Sequence, residues 1–269
     1  MPGSAGRGHL KETDLYAPVK AFLQSSGYEV RGEVADCDLT AVRGDELVVV
    51  ELKRVFGLKL LVQAVNRQKA ADSVYVAIPK PPRGRFSKGF WDMCHLLKRL
   101  ELGLLCVSFR DGEATVDVAL HPPDHTPRAD GVGEGRVEPS RPRGPGRTRS
   151  SRMRRSIIRE FTGRSGDYNT GGSSRKSLVT AYRETAVRVA CCLEKYGPLS
   201  AAELKAMGTG DRTWGILYRN VYGWFERVEV GRYSLHQAGK SALKAYPELR
   251  VRCRRELRRI PGPAPARPA

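Results

Sequence analysis

The sequence predicts an α/β protein: a mixed-sheet domain first, then a smaller and mostly helical one. Three observations carry this. Helical and strand-like periodicities alternate through residues 11–121. A stretch rich in Pro, Gly and Arg, with almost no large apolar residue, interrupts them at residues 122–151. Beyond it helical patterns dominate and a single hairpin follows. At 269 residues the chain has room for two modest domains.

Taken in order, residues 1–10 form a flexible N-terminus without the apolar stretch of a signal peptide. Asp14 then caps a helix whose apolar face is Leu15, Val19, Phe22 and Leu23. Pro18 falls in its first turn, where it is tolerated, and Gly27 stops it. "YEVRGEV", "DLTAVR" and "ELVVVELK" read as three strands, with turns at Arg31-Gly32 and Gly44-Asp45. A helix over residues 58–71, the strand "SVYVAIP", the helix "GFWDMCHLLKRLE" and a hairpin of "LLCVSFR" and "ATVDVAL" complete the first domain. The 122–151 linker cannot bury enough surface to offset chain entropy. The second domain spans residues 152–246: helices in "SLVTAYRETAVRVACCLEKYG", "LSAAELKAM" (Ser200 and Glu203 forming a capping box) and "DRTWGILYRNVY", then two strands around Gly231 and a closing helix. Three helices followed by a hairpin is the order of a winged helix-turn-helix. Residues 247–269, basic and then Pro-rich, read as a frayed tail.

The formal charge is +18 and the pI about 10.0. Such a balance suits a polyanion, because cations on nucleic acid gain affinity by releasing counterions. No stretch is long and apolar enough to span a bilayer, and no strongly amphipathic basic helix suggests a membrane surface. The six cysteines show no C-x-x-C pair and the five histidines no metal-ligand or triad spacing. A cytoplasmic protein is expected.

The chemistry concentrates in "CDLTAVRGDELVVVELK". If Gly44-Asp45 is the turn, Arg43 opposes Glu46, Asp38 opposes Glu51 and Asp36 opposes Lys53, all on one face of the hairpin. A one-residue slip would send Asp38 to the other face. Two facing carboxylates repel unless a cation lies between them, and Mg²⁺ (or Mn²⁺) with its preference for oxygen ligands is the usual answer. A neighbouring lysine can orient or help deprotonate a water and stabilise charge on a phosphoryl oxygen.

Asp38 followed by Glu51-Leu52-Lys53 in an αβββαβ order resembles the PD-(D/E)XK nuclease superfamily. The segments "KETDLYAPVKAFLQSSGYEV", "LLVQAVNRQKAADSVYVAIP", "GDYNTGGSS", "TAYRETAVR" and "NVYGWFERVEVGRYSL" resemble a bacterial family of PD-(D/E)XK-type phosphodiesterases of unknown biological role. The resemblance implies a restriction-endonuclease-like core and a 5′-phosphate product. It implies that Asp38, Glu51 and the Leu52 carbonyl hold the metal and that Lys53 serves the attacking water. A glutamate from the first helix would join them, with Glu12 the candidate and Glu33 or Asp36 the alternatives. A polar residue on the following helix would also take part: Gln63 and Arg67, four apart, share one helical face, Gln63 beside the chemistry and Arg67 toward nucleic acid. Cys37 stands where the motif's proline would be.

In the second domain Arg212 and Arg219 on the third helix are candidates for nucleic-acid contact, while Trp214, Ile216, Leu217 and Tyr218 are assigned to packing. Arg175 and Lys176, after the Gly-rich "NTGGSS", are candidates for phosphate contact. The expected partner is nucleic acid, double-stranded DNA being the favoured form; a homodimer is allowed. The rival reading is a non-catalytic DNA-binding or regulatory protein that uses a nuclease-like scaffold.

Overall fold

The computed structural model describes residues 10–81, 87–110, 112–123, 151–172 and 178–260. The expected flexible start, most of the 122–151 linker, Arg175, Lys176 and the end of the tail lie outside them. The chain divides into two compact units, Met1–Leu178 and Val179–Ala269. Among the described residues no helix is long and apolar enough to cross a membrane.

The first unit is built on a six-stranded sheet with the strands in sequence order. After a 3-10 turn, Glu12–Leu15, come α1 (Tyr16–Ser25), β1 (Glu29–Val34), β2 (Cys37–Arg43) and β3 (Glu46–Leu52). Then follow α2 (Leu58–Arg67), β4 (Ser73–Pro79), α3 (Lys88–Arg99), β5 (Gly103–Arg110) and β6 (Glu113–Leu120). The first three strands pair antiparallel, β3, β4 and β5 run parallel, and β6 returns antiparallel. Both parallel connections run through a helix, as parallel pairing requires. The strand alternation sends Val48, Val50 and Leu52 to one face, against Leu15, Val19 and Leu23 of the first helical segment. Leu47 and Val49 go to the other, with Leu60 of α2, Leu97 of α3 and Ile157 and Phe161 of α4 (Ser151–Gly163). The result is three layers with a buried sheet.

Four expectations change. The turn between the first two strands is Ala35-Asp36, both at positive φ, not Arg31-Gly32; β1 continues to Val34, which pairs with Cys37. Asp14 does not cap α1, which begins two residues later. Its carboxylate accepts from the Lys11 N–H at 2.7 Å and closes the 3-10 turn. Residues 152–172 belong to the first unit, not the second. Besides Ile157 and Phe161 in the core, Arg154 pairs with Asp72 at 2.8 Å. The tail is not frayed at its start: α9 (Pro247–Leu257) buries Leu249, Cys253 and Leu257.

The second unit runs α5 (Ala181–Tyr196), β7 (Leu199–Ser200), α6 (Ala201–Leu204), one further turn Lys205–Thr209, α7 (Thr213–Arg219), β8 (Phe225–Glu229), β9 (Arg232–Leu235), α8 (Gln237–Ala245) and α9. Its sheet has the order β7-β9-β8, one strand more than the expected hairpin. The Ser200–Glu203 capping box is present: Glu203 N–H donates to Ser200 Oγ at 3.2 Å, and Ser200 N–H to Glu203 Oε2 at 2.7 Å.

Candidate functional site

The β2–β3 hairpin adopts the register that a Gly44-Asp45 turn dictates. Arg43 pairs with Glu46, and the ladder continues to Leu39 opposite Val50. One step further places Asp38 beside Glu51 where β3 ends. Asp38 Oδ2 accepts the Leu52 N–H at 2.8 Å and lies 3.7 Å from Lys53 Nζ. Lys53 Nζ donates in turn to Glu12 Oε2 at 3.0 Å. The 3-10 turn ahead of α1 thus brings Glu12 to the same strand end.

Glu51 is fully buried. Its Oε1 accepts from Arg67 Nε at 2.7 Å, while Oε2 has no protein donor. Burial, and then the charge of Asp38, raise its pKa from 4.5 to about 7 against the pull of Arg67. Lys53 moves the opposite way in role. Burial disfavours its charge, but Asp38, Glu12 and Glu51 together outweigh burial and hold its pKa above the ordinary lysine value. In the absence of a bound cation it is an ammonium and a donor, not a base. Burial pushes the neighbouring Cys37 thiol up to about 12, so it stays neutral.

Helix α2 supplies the two polar residues expected of it, in different circumstances. Gln63 Oε1 is buried without a hydrogen-bond partner. Arg67, expected to reach nucleic acid, already holds Glu51 and donates to the Asp36 carbonyl. Asp36 itself is in the β1–β2 turn and does not oppose Lys53. The Glu33 carbonyl accepts from Arg164 at 2.6 Å. Arg212 and Arg219 are exposed at the two ends of α7. Trp214 and Tyr218, assigned to packing, are instead exposed, and only Ile216 and Leu217 are buried.

The donor set suits a hard divalent cation. Two carboxylates meet at one strand end, and Glu51 Oε2 there lacks a donor although a buried polar atom without a partner is costly. Among the described residues no group of three or more His, Cys, Asp and Glu side chains forms a cage.

One part of the site was not assigned from sequence. The segment Asp167 to Gly172, after α4, threads along β1, β2 and the 3-10 turn. Asp167 Oδ2 accepts from Tyr16 Oη and Lys20 Nζ, each at 2.5 Å, and its Oδ1 from the Gly32 N–H at 2.8 Å. Gly171 lies against the Asp38 carbonyl so closely that a Cβ would collide with it. Gly172, at φ +76°, would bring a Cβ to 3.0 Å from Glu12 Cβ. The signal was the polar, Gly-rich "GDYNTGG" itself, which marks close backbone approach as readily as a turn.

A family model with the description "Putative PD-(D/E)XK phosphodiesterase (DUF2161)" matches residues 105–242, slightly more than half of the chain. The match starts within β5, after the Asp38, Glu51 and Lys53 positions, and includes the segment that packs against Asp38. No curated protein and no solved structure matches the chain.

Proposed function

The chain belongs to the family described as putative PD-(D/E)XK phosphodiesterases, and on that premise we propose that it is a divalent-metal-dependent nuclease hydrolysing DNA phosphodiesters. The observation that carries this reading is the meeting of Asp38, Glu51 and Lys53 at one strand end, with Lys53 charged and Glu51 Oε2 left without a donor. Asp38, Glu51 and the Leu52 carbonyl are assigned to Mg²⁺ or Mn²⁺, with Glu12 close by through Lys53. Bound there, the cation would offset the negative charge that builds on the phosphoryl oxygens and acidify the attacking water.

The chain's own residues do the rest. Water oxygen adds to phosphorus and gives up a proton to solvent, the bond to one sugar oxygen breaks, and that oxygen leaves as it takes a proton from solvent. Lys53, held between Glu12 and Asp38, donates to a non-bridging oxygen as its charge grows; it is already in place, so no reorganisation cost arises at the moment of reaction. Arg67 fixes Glu51 through Oε1 and leaves Oε2 available. Gly171 lets the Asp167 to Gly172 segment lie against Asp38 and support it from behind.

For the second unit we infer a winged helix-turn-helix with a nucleic-acid role. Its order helix, strand, two helices and two strands supports this, as do exposed Arg212 and Arg219 on α7. Arg175 and Lys176 are retained as candidate phosphate contacts.

The test incubates plasmid and oligonucleotide substrates with Mg²⁺ or Mn²⁺. Wild type is expected to cut them, and Asp38→Ala and Lys53→Ala to lose at least a hundredfold in rate, on the scale of a lost charge-stabilising donor (roughly 3 kcal/mol). Tight DNA binding with no cleavage of any substrate would leave the non-catalytic reading standing instead.

A further inference from the structure

Helix α7 carries two large aromatic side chains that the packing of its unit does not use. Trp214 and Tyr218 are 61% and 69% exposed, whereas Ile216 and Leu217 between them are buried. The pair is one helical turn apart, and the rings stack with centroids 5.0 Å apart and planes within 7°. Each ring covers part of the other's inner face, and the rest of the stacked pair is open to solvent.

The charge around this plate is positive. Asp211, just ahead of α7, is paired with Lys205 at 2.5 Å. Arg212 and Arg219 remain exposed at the two ends of the helix. Arg219 lies back along the helix: its Nε donates to the Gly215 carbonyl at 3.1 Å, and a Cβ at Gly215 would sit 3.2 Å from its guanidinium. A glycine next to Trp214 therefore leaves room for a cation beside the ring pair. An apolar protein partner would have to bury those guanidinium groups unpaired, at a large desolvation cost. A phosphodiester chain meets them with complementary charge.

Duplex DNA offers only base edges in its grooves, because the base faces are covered by their neighbours. Unpaired bases offer their faces, and aromatic side chains flanked by cations are the usual way to hold them. We propose that Trp214 and Tyr218 form a stacking platform for unpaired bases, so that the second unit holds a single-stranded stretch of DNA. The proposal rests on the reading of the chain as acting on nucleic acid, and refines it from duplex DNA to DNA that contains unpaired nucleotides.

The full chain in EDTA is titrated against a labelled single strand of mixed sequence and against the matching duplex, with fluorescence anisotropy as the readout. The single strand is expected to bind at least about tenfold more tightly, and Trp214→Ala and Tyr218→Ala each to weaken it about tenfold. Trp214→Phe should keep most of the affinity, and Arg219→Gln should flatten the salt dependence. Because both rings are exposed, melting temperatures of the variants should match wild type, which separates lost stacking from lost folding. Equal or tighter duplex binding, a preference for the same sequence as RNA, unchanged affinity in Trp214→Ala, or self-association abolished by that substitution would each overturn the proposal. Cleavage is read separately with metal present, so failure of the platform and failure of the nuclease reading give different results.

Discussion

Glu51 is a carboxylate the fold keeps dry, and its cost depends on pH. Its folded pKa, about 7, is above its ordinary value of 4.5, so below about 4.5 it is protonated in both states and costs nothing. As pH rises from about 4.5 to 7 the unfolded state ionises while the folded state keeps its proton, and the fold loses stability across that window. The full loss in the metal-free protein is on the order of 3 to 4 kcal/mol. Glu51→Gln removes the titration, so its stability relative to wild type should grow between pH 5 and pH 8 in EDTA, as measured by urea unfolding. A difference that stays flat over that range would mean that Glu51 pays no such penalty. At this scale the sequence was informative where side chains alternate along a strand: Asp38, Glu51 and Lys53 follow from one turn. Tyr16, Lys20 and Asp167 meet across nearly the whole length of the first unit, and no local spacing announces that.

At the scale of elements, the β2–β3 register was readable because Gly44-Asp45 and the apolar run after it admit one good pairing. The β1–β2 turn was misread because Gly32 is a strong turn signal in sequence. In the structure it is a strand residue with the Asn169 carbonyl close against it, and the left-handed positions fall to Ala35 and Asp36. The Asp167 to Gly172 segment behaves as part of the sheet's packing, so its glycines are contact positions. Gly171→Ala should destabilise the protein by about 1–3 kcal/mol through overpacking against Asp38 and slow metal-dependent cleavage in parallel. Gly57→Ala, which meets nothing within 4 Å, should leave both almost unchanged. Thermal melts and cleavage rates of the two variants, compared side by side, check this. Equal effects at the two positions would remove Gly171 from the site's support.

At the scale of the molecule, the first unit is completed by residues 151–172. Ile157 and Phe161 fill its core, buried Arg164 caps the Gly32 and Glu33 carbonyls, and Arg31 donates to the carbonyls of Phe161 and Arg164. A fragment ending at residue 123 would expose that apolar face and leave buried polar groups unpaired. It should therefore be insoluble or molten, whereas one ending at residue 178 should melt cooperatively by circular dichroism. A cooperative melt of the shorter fragment would contradict this assignment. By itself the sequence determined the order of helices and strands from α1 to β6, the β2–β3 register and the meeting of Asp38 with Glu51, because these follow from periodicity and turn chemistry within a few residues. Only the tertiary structure decided that residues 151–172 belong with the sheet, that Arg67 clamps Glu51, and that Trp214 and Tyr218 face solvent. Those outcomes depend on which surfaces find each other across long stretches of chain, and side-chain type alone does not specify that.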